Sequence, residues 1–436
     1  MFSYYFKLGL RSLRRNPALT ALMVLTLAIG VAASVSTLTI LHMMSGDPIP
    51  QKSERLFVPI FDVAPVDNYN PGEKLRENQV TYQDAMNLLK SGQGERRVAL
   101  YGIASPIEPP RKDLPAFSAS GVAPTREFFA MFDVPFLRGQ TWSVQDDERG
   151  ADVVVLSRKI AEKLYGEANP VGQRINIMGF PFTVVGVTDK WAPKPRYYKL
   201  VGGEQFGDGE DFFIPLGSAI RHETTHNGGM NCSERSEPGF QGILRSNCTW
   251  IQFWFETASS ADRAGLQTYI DSYAAEQRKL GRMKRAAPNK LFNVKEWMEE
   301  REVVDKDTKL SAWLAFGFLL LCLVNTIGLL LAKFSVRAAE VGIRRALGAS
   351  RREIFRQFLI ESAVVGLAGG VLGLVLAFGA LALIAMQSSE VASIAHMDLT
   401  MLAFTFAMSV LAAILAGLLP TWRACQVTPA IQLKSQ

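Results

Sequence analysis

The chain has 436 residues, 48% of them hydrophobic, with 47 lysines and arginines against 41 acids and a formal net charge of +6. This is enough apolar material for a sizeable core or for membrane spans, and the absence of internal repeats and low-complexity tracts excludes a repeat array. The basic excess gives no support to nucleic-acid binding, because the bases sort by position along the chain, as a membrane topology would sort them.

Residues 2–16, "FSYYFKLGLRSLRRN", place Phe2, Phe6, Leu10 and Leu13 near one helix face and bases on the other. That pattern predicts an interfacial amphipathic helix over 1–17, lying on the inner side of a membrane and ending at Pro17. Four long runs almost free of charge follow along the chain: Ala18–Met44, Leu310–Ala332, Ala363–Met386 and Leu399–Leu419. Each reaches the roughly 20 residues that a helix needs to cross a hydrocarbon core of about 30 Å. Helices of soluble proteins carry a polar stripe that these runs lack. The first run is too long for the apolar core of a cleaved signal peptide and continues past its "GVAAS" stretch, so an uncleaved anchor is expected.

Lys7, Arg11, Arg14 and Arg15 precede the first run without an acid. Lys333, Arg337, Arg344, Arg345, Arg351, Arg352 and Arg356 lie between the second and third runs against Glu340, Glu353 and Glu361, and Arg423 and Lys434 follow the fourth. The stretch 387–398 has no base, only Glu390 and Asp398. The positive-inside rule therefore puts both termini and residues 333–362 in the cytoplasm. Residues 45–309 and the short loop 387–398 then lie on the external side of a multi-pass membrane protein. The expected fold is a membrane protein with four transmembrane α-helices (18–44, 310–332, 363–386, 399–419). A large mixed α/β extracytoplasmic domain is inserted between helices 1 and 2, and 420–436 form a cytoplasmic tail.

Within 45–309, "RLFVPIF", "RRVALYGIA", "ADVVVLS" and "FTVVGVT" read as strands, rich in Val, Ile and Phe. "PTREFFAMF", "SRKIAEKLYG" and "SADRAGLQTYIDSYAAEQRKLG" read as helices. Residues 190–248 suit long loops, and 295–309 suit one helix running into the second span. His222-Glu223-x-x-His226 has the spacing of a zinc protease, whose two His must share one helix face. Thr224 and Thr225 intervene, Gly228 and Gly229 follow, and the only other histidines are His42 and His396, so a chance match is the better reading. Cys232 and Cys248 fall in the same external segment. There oxidation favours a disulfide over free thiols or metal ligation, and neither catalytic nor metal-binding residues are assigned.

The most informative stretch is "SVRAAEVGIRRALGASRREIFRQFLIES", residues 335–362. It reads as helix, break, helix: Gly348 suits a left-handed C-cap, and Ser350-Arg351-Arg352-Glu353 forms a capping box. Val341, Ile343, Leu347, Ile354 and Phe358 are spaced among the bases, more than charge placement alone requires.

Here the chain resembles the permeases of the MacB/FtsX-like family of ABC transporters. Their Glu-hydrophobic-Gly-Ile-Arg-Arg-Ala-Leu-Gly-Ala-Ser-Arg-Arg segment is matched by Glu340, Val341, Gly342, Ile343, Arg344, Arg345, Ala346, Leu347, Gly348, Ala349, Ser350, Arg351 and Arg352. "GDPIPQKSERLF", residues 121–142 and residues 153–187 look like the MacB-type periplasmic core domain. The tail keeps Pro420, Arg423, Ala424, Pro429 and Leu433 of the family pattern, and departs at Trp422 and Thr428, where Arg and Asp are more usual.

The resemblance implies a dimer, of two copies or of related permeases, in which cytosolic ATPases drive stalk and external domain by mechanotransmission. It makes Glu340–Arg352 the segment coupled to the ATPase, and efflux or export from the periplasm the process served. A periplasmic adaptor is a further candidate partner, beside membrane lipids. No G-x-x-x-x-G-K-[ST] occurs in the sequence. The chain is therefore expected to be no enzyme and to hold no cofactor, with ATP and Mg bound by a separate ABC ATPase subunit. The rival reading, a membrane-anchored periplasmic ligand sensor, would ordinarily need a cytoplasmic output domain, for which the inner loop leaves no room.

Overall fold

The computed structural model describes residues 16–66, 77–111, 113–203 and 205–387, with single helical positions between 407 and 422. The expected interfacial helix, the short loop 387–398, the run 399–419 and the tail lie wholly or mostly outside the described residues. The chain divides into two compact units, Gly46–Val303 and a second made of residues 1–45 with 304–436.

Three described helices of the second unit are long and apolar enough to cross a membrane. They are α1 (Pro17–Ser45), α2 (Lys306–Val336) and α4 (Arg351–Gln387), with the short α3 (Ala338–Ala346) between the last two. Pro17 opens α1, where its missing N–H costs nothing. The Asp305 carboxylate caps α2 by accepting from Thr308 N at 2.7 Å. Small residues let the helices approach closely. Gly369 and Gly373 of α4 face Leu27 and Val31 of α1, and a Cβ on Gly373 would lie 3.0 Å from the Ala28 carbonyl oxygen. Gly30 of α1 faces Cys322 of α2, and Ser34 Oγ donates to Ala315 O at 3.0 Å. Residues 333–362 are largely helical: α2 runs beyond its apolar run, and α4 begins well before its own.

The other unit is built on one mixed sheet. In chain order the strands are β1 (Leu56–Ile60), β2 (Val80–Thr81), β3 (Arg96–Glu108), β4 (Phe117–Pro124), β5 (Phe136–Gly139) and β6 (Val153–Ser157). They continue with β7 (Arg174–Ile177), β8 (Phe180–Thr188), β9 (Phe212–Phe213), β10 (Thr249–Glu256) and β11 (Lys290–Asn293). The sheet order is β11-β1-β10-β3-β4-β9-β6-β8-β5, with β2 on β10 and β7 on β3 and β8. Pairs are antiparallel except β4–β9 and β6–β8. Every side chain of β10 is buried, and Trp250, Phe253 and Phe255 join Phe57, Tyr101, Phe182 and Phe212 in the core. The four stretches read as strands form β1, β3, β6 and β8.

Two helices meet their expected caps or positions. Ser157 accepts from Ile160 N at the head of Arg158–Tyr165, Gly166 ends that helix at φ 62°, and a second helix spans Arg263–Lys279. Two expectations fail. "PTREFFAMF" yields only the short helix Phe128–Met131, because Asp133 turns left-handed at φ 50° and Val134 N donates back to Phe129 O. Residues 295–309 are not one helix. Val294–Glu300 closes with Glu302 at φ 49°, Glu302 N donating to Glu299 O and Val303 N to Met298 O, before Asp305 starts α2. This is a Schellman end without its usual glycine.

The chain enters and leaves this unit on neighbouring strands. β1 and β11 pair from Phe57↔Asn293 to Ile60↔Lys290. Ahead of them, Lys295 Nζ lies 3.5 Å from Asp47 and 3.7 Å from Glu54, and Asn293 Nδ2 donates to Glu54 at 3.0 Å.

Candidate functional site

The segment Glu340–Arg352 is built by three local devices. Arg337 caps the C-terminus of α2 and precedes α3. Helix α3 then ends in a Schellman motif: Gly348 N donates to Arg345 O at 3.2 Å, Ala349 N donates to Arg344 O at 3.0 Å, and Gly348 sits at φ 100°. Ser350 and Glu353 exchange a capping box, Glu353 N donating to Ser350 Oγ and Ser350 N to Glu353 Oε2 at 3.0 Å. A tight corner, glycine at its turn, thus joins two well-capped helices.

The five apolar residues noted in the sequence divide into two sets. Val341, Ile354 and Phe358 are buried with Met23, Leu27, Leu330, Phe334 and Val365, the Phe334 and Phe358 rings 4.3 Å apart. Ile343 and Leu347, one helical turn apart, are 58% and 82% exposed. Arg351 and Arg352 are also exposed. Arg344 is held by Glu340 at 2.6 Å and donates to Gln357 at 3.0 Å. One face locks the corner into the helical unit, and the other presents apolar side chains among bases.

Behind the corner lies a cluster that the sequence reading counted only as charge. Lys333 Nζ is 2.8 Å from Glu361 Oε1, and Arg337 Nη1 is 3.0 Å from Glu361 Oε2. The Lys333 and Glu361 side chains are 0% and 2% exposed. A lone acid near the start of one apolar run, matched by a lysine at the end of another, was the available signal.

The His222–His226 stretch has a different geometry from a zinc helix. Its helix, Leu216–Arg221, ends before His222, and Glu223 turns left-handed at φ 49°. His222 Nε2 is 2.8 Å from Asp152 Oδ1, and its ring stacks on Phe180 at 3.9 Å. Burial would raise the Asp152 carboxyl, but hydrogen bonds from His222, Ser218 and Arg221 hold it below its ordinary value. His226 instead bridges to Ile103 and packs 5.9 Å from Trp250, where burial lowers its pKa. Cys232 and Cys248 form a disulfide.

Two buried carboxylates of the same unit are matched by cations. Glu256 meets Lys52, Arg55 and Arg96, and Glu210 meets Lys199 and Arg196. A cleft of about 740 Å³ is lined by Arg138 and Arg158 but also by Glu162 and Glu167, so its charge selects neither anion nor cation.

Comparison with known proteins gives two family matches. The MacB-like periplasmic core domain matches residues 20–273, and the FtsX-like permease C-terminal domain matches residues 312–429. The pyoverdine export ATP-binding/permease protein PvdT of Pseudomonas fluorescens is 26% identical over 375 residues, covering 84% of this chain and 50% of that protein. The macrolide export ATP-binding/permease protein MacB of Bdellovibrio bacteriovorus is 27% identical over 263 residues, covering 59% of this chain and 35% of its own length. The chain thus spans half of the first relative and about a third of the second. Among solved structures, the periplasmic region of MacB from Actinobacillus actinomycetemcomitans is similar over 58% of this chain and 95% of its own, at a TM-score of 0.37 and 13% identity.

Proposed function

The chain belongs to the MacB/FtsX-like permeases of ABC transporters, and on that footing we propose that it couples ATP hydrolysis by a cytosolic partner to movement of its own mixed α/β unit. The observation that carries the reading is the two-faced corner. Ile343 and Leu347 stand exposed beside Arg351 and Arg352 while Val341, Ile354 and Phe358 hold the corner in place. A surface of apolar anchors ringed by charge suits a protein partner.

In this reading Glu340–Arg352 seats on an ABC ATPase, which binds ATP and Mg. Residues 399–419 form the fourth span, both termini are cytoplasmic, and the mixed unit stands in the periplasm of a bacterium. The permease works as a dimer with a second copy or a paralogue. Nucleotide can drive such a machine only by binding its states unequally. Closure of the ATPases would move the two corners, and α1 and α2 would pass that motion to β1 and β11 along the chain. The relatives' names place them in export of pyoverdine and macrolides, which makes outward transport of a small molecule, with a periplasmic adaptor, the process to test.

The experiment is affinity purification of the tagged chain in mild detergent, with mass spectrometry and ATPase assay of what accompanies it. An ABC ATPase recovered in equal amount is expected. Recovery of the chain alone, with no hydrolysis in any fraction, would refute the proposal.

A further inference from the structure

Beyond the docking face, and resting on the coupling role just proposed, we infer that Glu361 is the positioning residue that makes the corner rigid. Its carboxylate meets two different parts of the chain. Oε1 lies 2.8 Å from Lys333 Nζ in the last turn of α2, and both oxygens accept from Nη1 of Arg337, the residue shared by the end of α2 and the start of α3. Glu361 itself belongs to α4, beyond Ile354 and Phe358, whose side chains seat the corner. One carboxylate therefore fastens both sides of the α2–α3 junction to the helix that follows.

The energetics argue for a role in geometry. Enclosing Lys333 and Glu361 costs both their hydration, and well-packed apolar side chains would join the helices at less cost. An apolar contact, however, lets packed helices slide and rotate. The Arg337 guanidinium donates to both oxygens of that planar carboxylate, at 3.3 and 3.0 Å, and the enclosed Lys333 ammonium forms an ion pair with it at 2.8 Å, so that distance and direction are both fixed. With the junction clamped, displacement of α3 must carry α2 and α4 with it. Without the clamp, the backbone at Arg337 (φ −97°, ψ 7°) is free to absorb it. Glu361 acts through these cations and touches neither nucleotide nor cargo.

The test uses the full chain with its co-purifying ATPase in nanodiscs, comparing the wild type with Glu361→Gln and Glu361→Asp. Three quantities are read: ATP hydrolysis, the amount of ATPase bound, and the change in tryptic cleavage of residues 46–303 when Mg·ATP and vanadate are added. Glu361→Gln should keep ATPase binding, and hydrolysis within about twofold, while the nucleotide-dependent change in cleavage falls at least about fivefold, the lower bound of a typical coupling between sites. Glu361→Asp, which keeps the charge, should recover part of the change.

A Glu361→Gln protein that responds to nucleotide as the wild type does would overturn the inference. So would a proportional fall in binding, hydrolysis and response, which marks damage to the fold. A wild-type complex that shows no response to nucleotide would instead sink the coupling role itself. If Glu361→Gln does not accumulate in membranes, Arg337→Gln, which spares the Lys333 pair, is judged by the same criteria.

Discussion

Leu347→Ala separates docking from folding. Leu347 is 82% exposed at the end of α3, so its side chain does little for the chain's own stability. If it is buried against an ATPase, truncation removes about three carbons at ~0.8 kcal/mol each, or about 2 kcal/mol after allowing for the part already covered. That corresponds to roughly 30-fold weaker binding. Phe358→Ala is the counterpart. At 3% exposure, its loss should cost about 3–5 kcal/mol of stability in the helical unit and weaken binding only through misfolding. The assay titrates the detergent-purified chain with its isolated ATPase and, in parallel, follows thermal unfolding of the chain alone. Leu347→Ala should melt as the wild type does but bind poorly. Wild-type affinity would show that the exposed corner is not where the partner sits, and a lowered melting point would show that Leu347 supports the fold after all.

Two further outcomes concern the mixed unit. Replacing Cys232 and Cys248 with Ala opens a loop with a sequence separation of 16. On the chain-entropy account this costs about 3 kcal/mol, a drop in melting temperature of roughly 6–12 °C for a unit of this size. Reductant should bring the wild type down to the same value, and indifference to reductant would count against a structural role for the bridge. His226 titrates below its ordinary 6.5 because burial favours the neutral ring. Its contribution is therefore complete above pH 6.5 and lost as pH falls through the lowered value. The melting advantage of the wild type over His226→Asn should shrink on acidification from neutrality, and an advantage that grows would show the opposite sign.

What the sequence made legible was what local chemistry determines. Three apolar runs appear as α1, α2 and α4 because bilayer-length hydrophobicity depends on composition alone. The break at Gly348 and the box at Ser350 and Glu353 are likewise set within a few residues. Tertiary packing decided the rest. Nothing in "EVGIRRALGASRREIF" says that Val341 and Ile354 turn inward while Ile343 and Leu347 stay out, because Phe334 and Phe358 make that choice. The break before α2 has no glycine to announce it, since Glu302 adopts the left-handed turn itself. Pairing of Lys333 with Glu361 joins residues far apart in sequence, one just past the end of the second run and one just ahead of the third. His222 and His226 show the converse: correct spacing means little when the helix stops at Arg221.

The adjacency of β1 and β11 gives the protein a modular plan. The chain leaves the helical unit after Ser45 and returns at Val304, and strand pairing together with the Asp47–Lys295 contact holds the two junctions of the mixed unit side by side. A segment whose ends meet can be exchanged for another of similar footing at little entropic cost to its host. Lineages could therefore trade the whole of residues 46–303, and with it whatever the unit handles, while the corner that follows α2, the proposed docking face, stays unchanged.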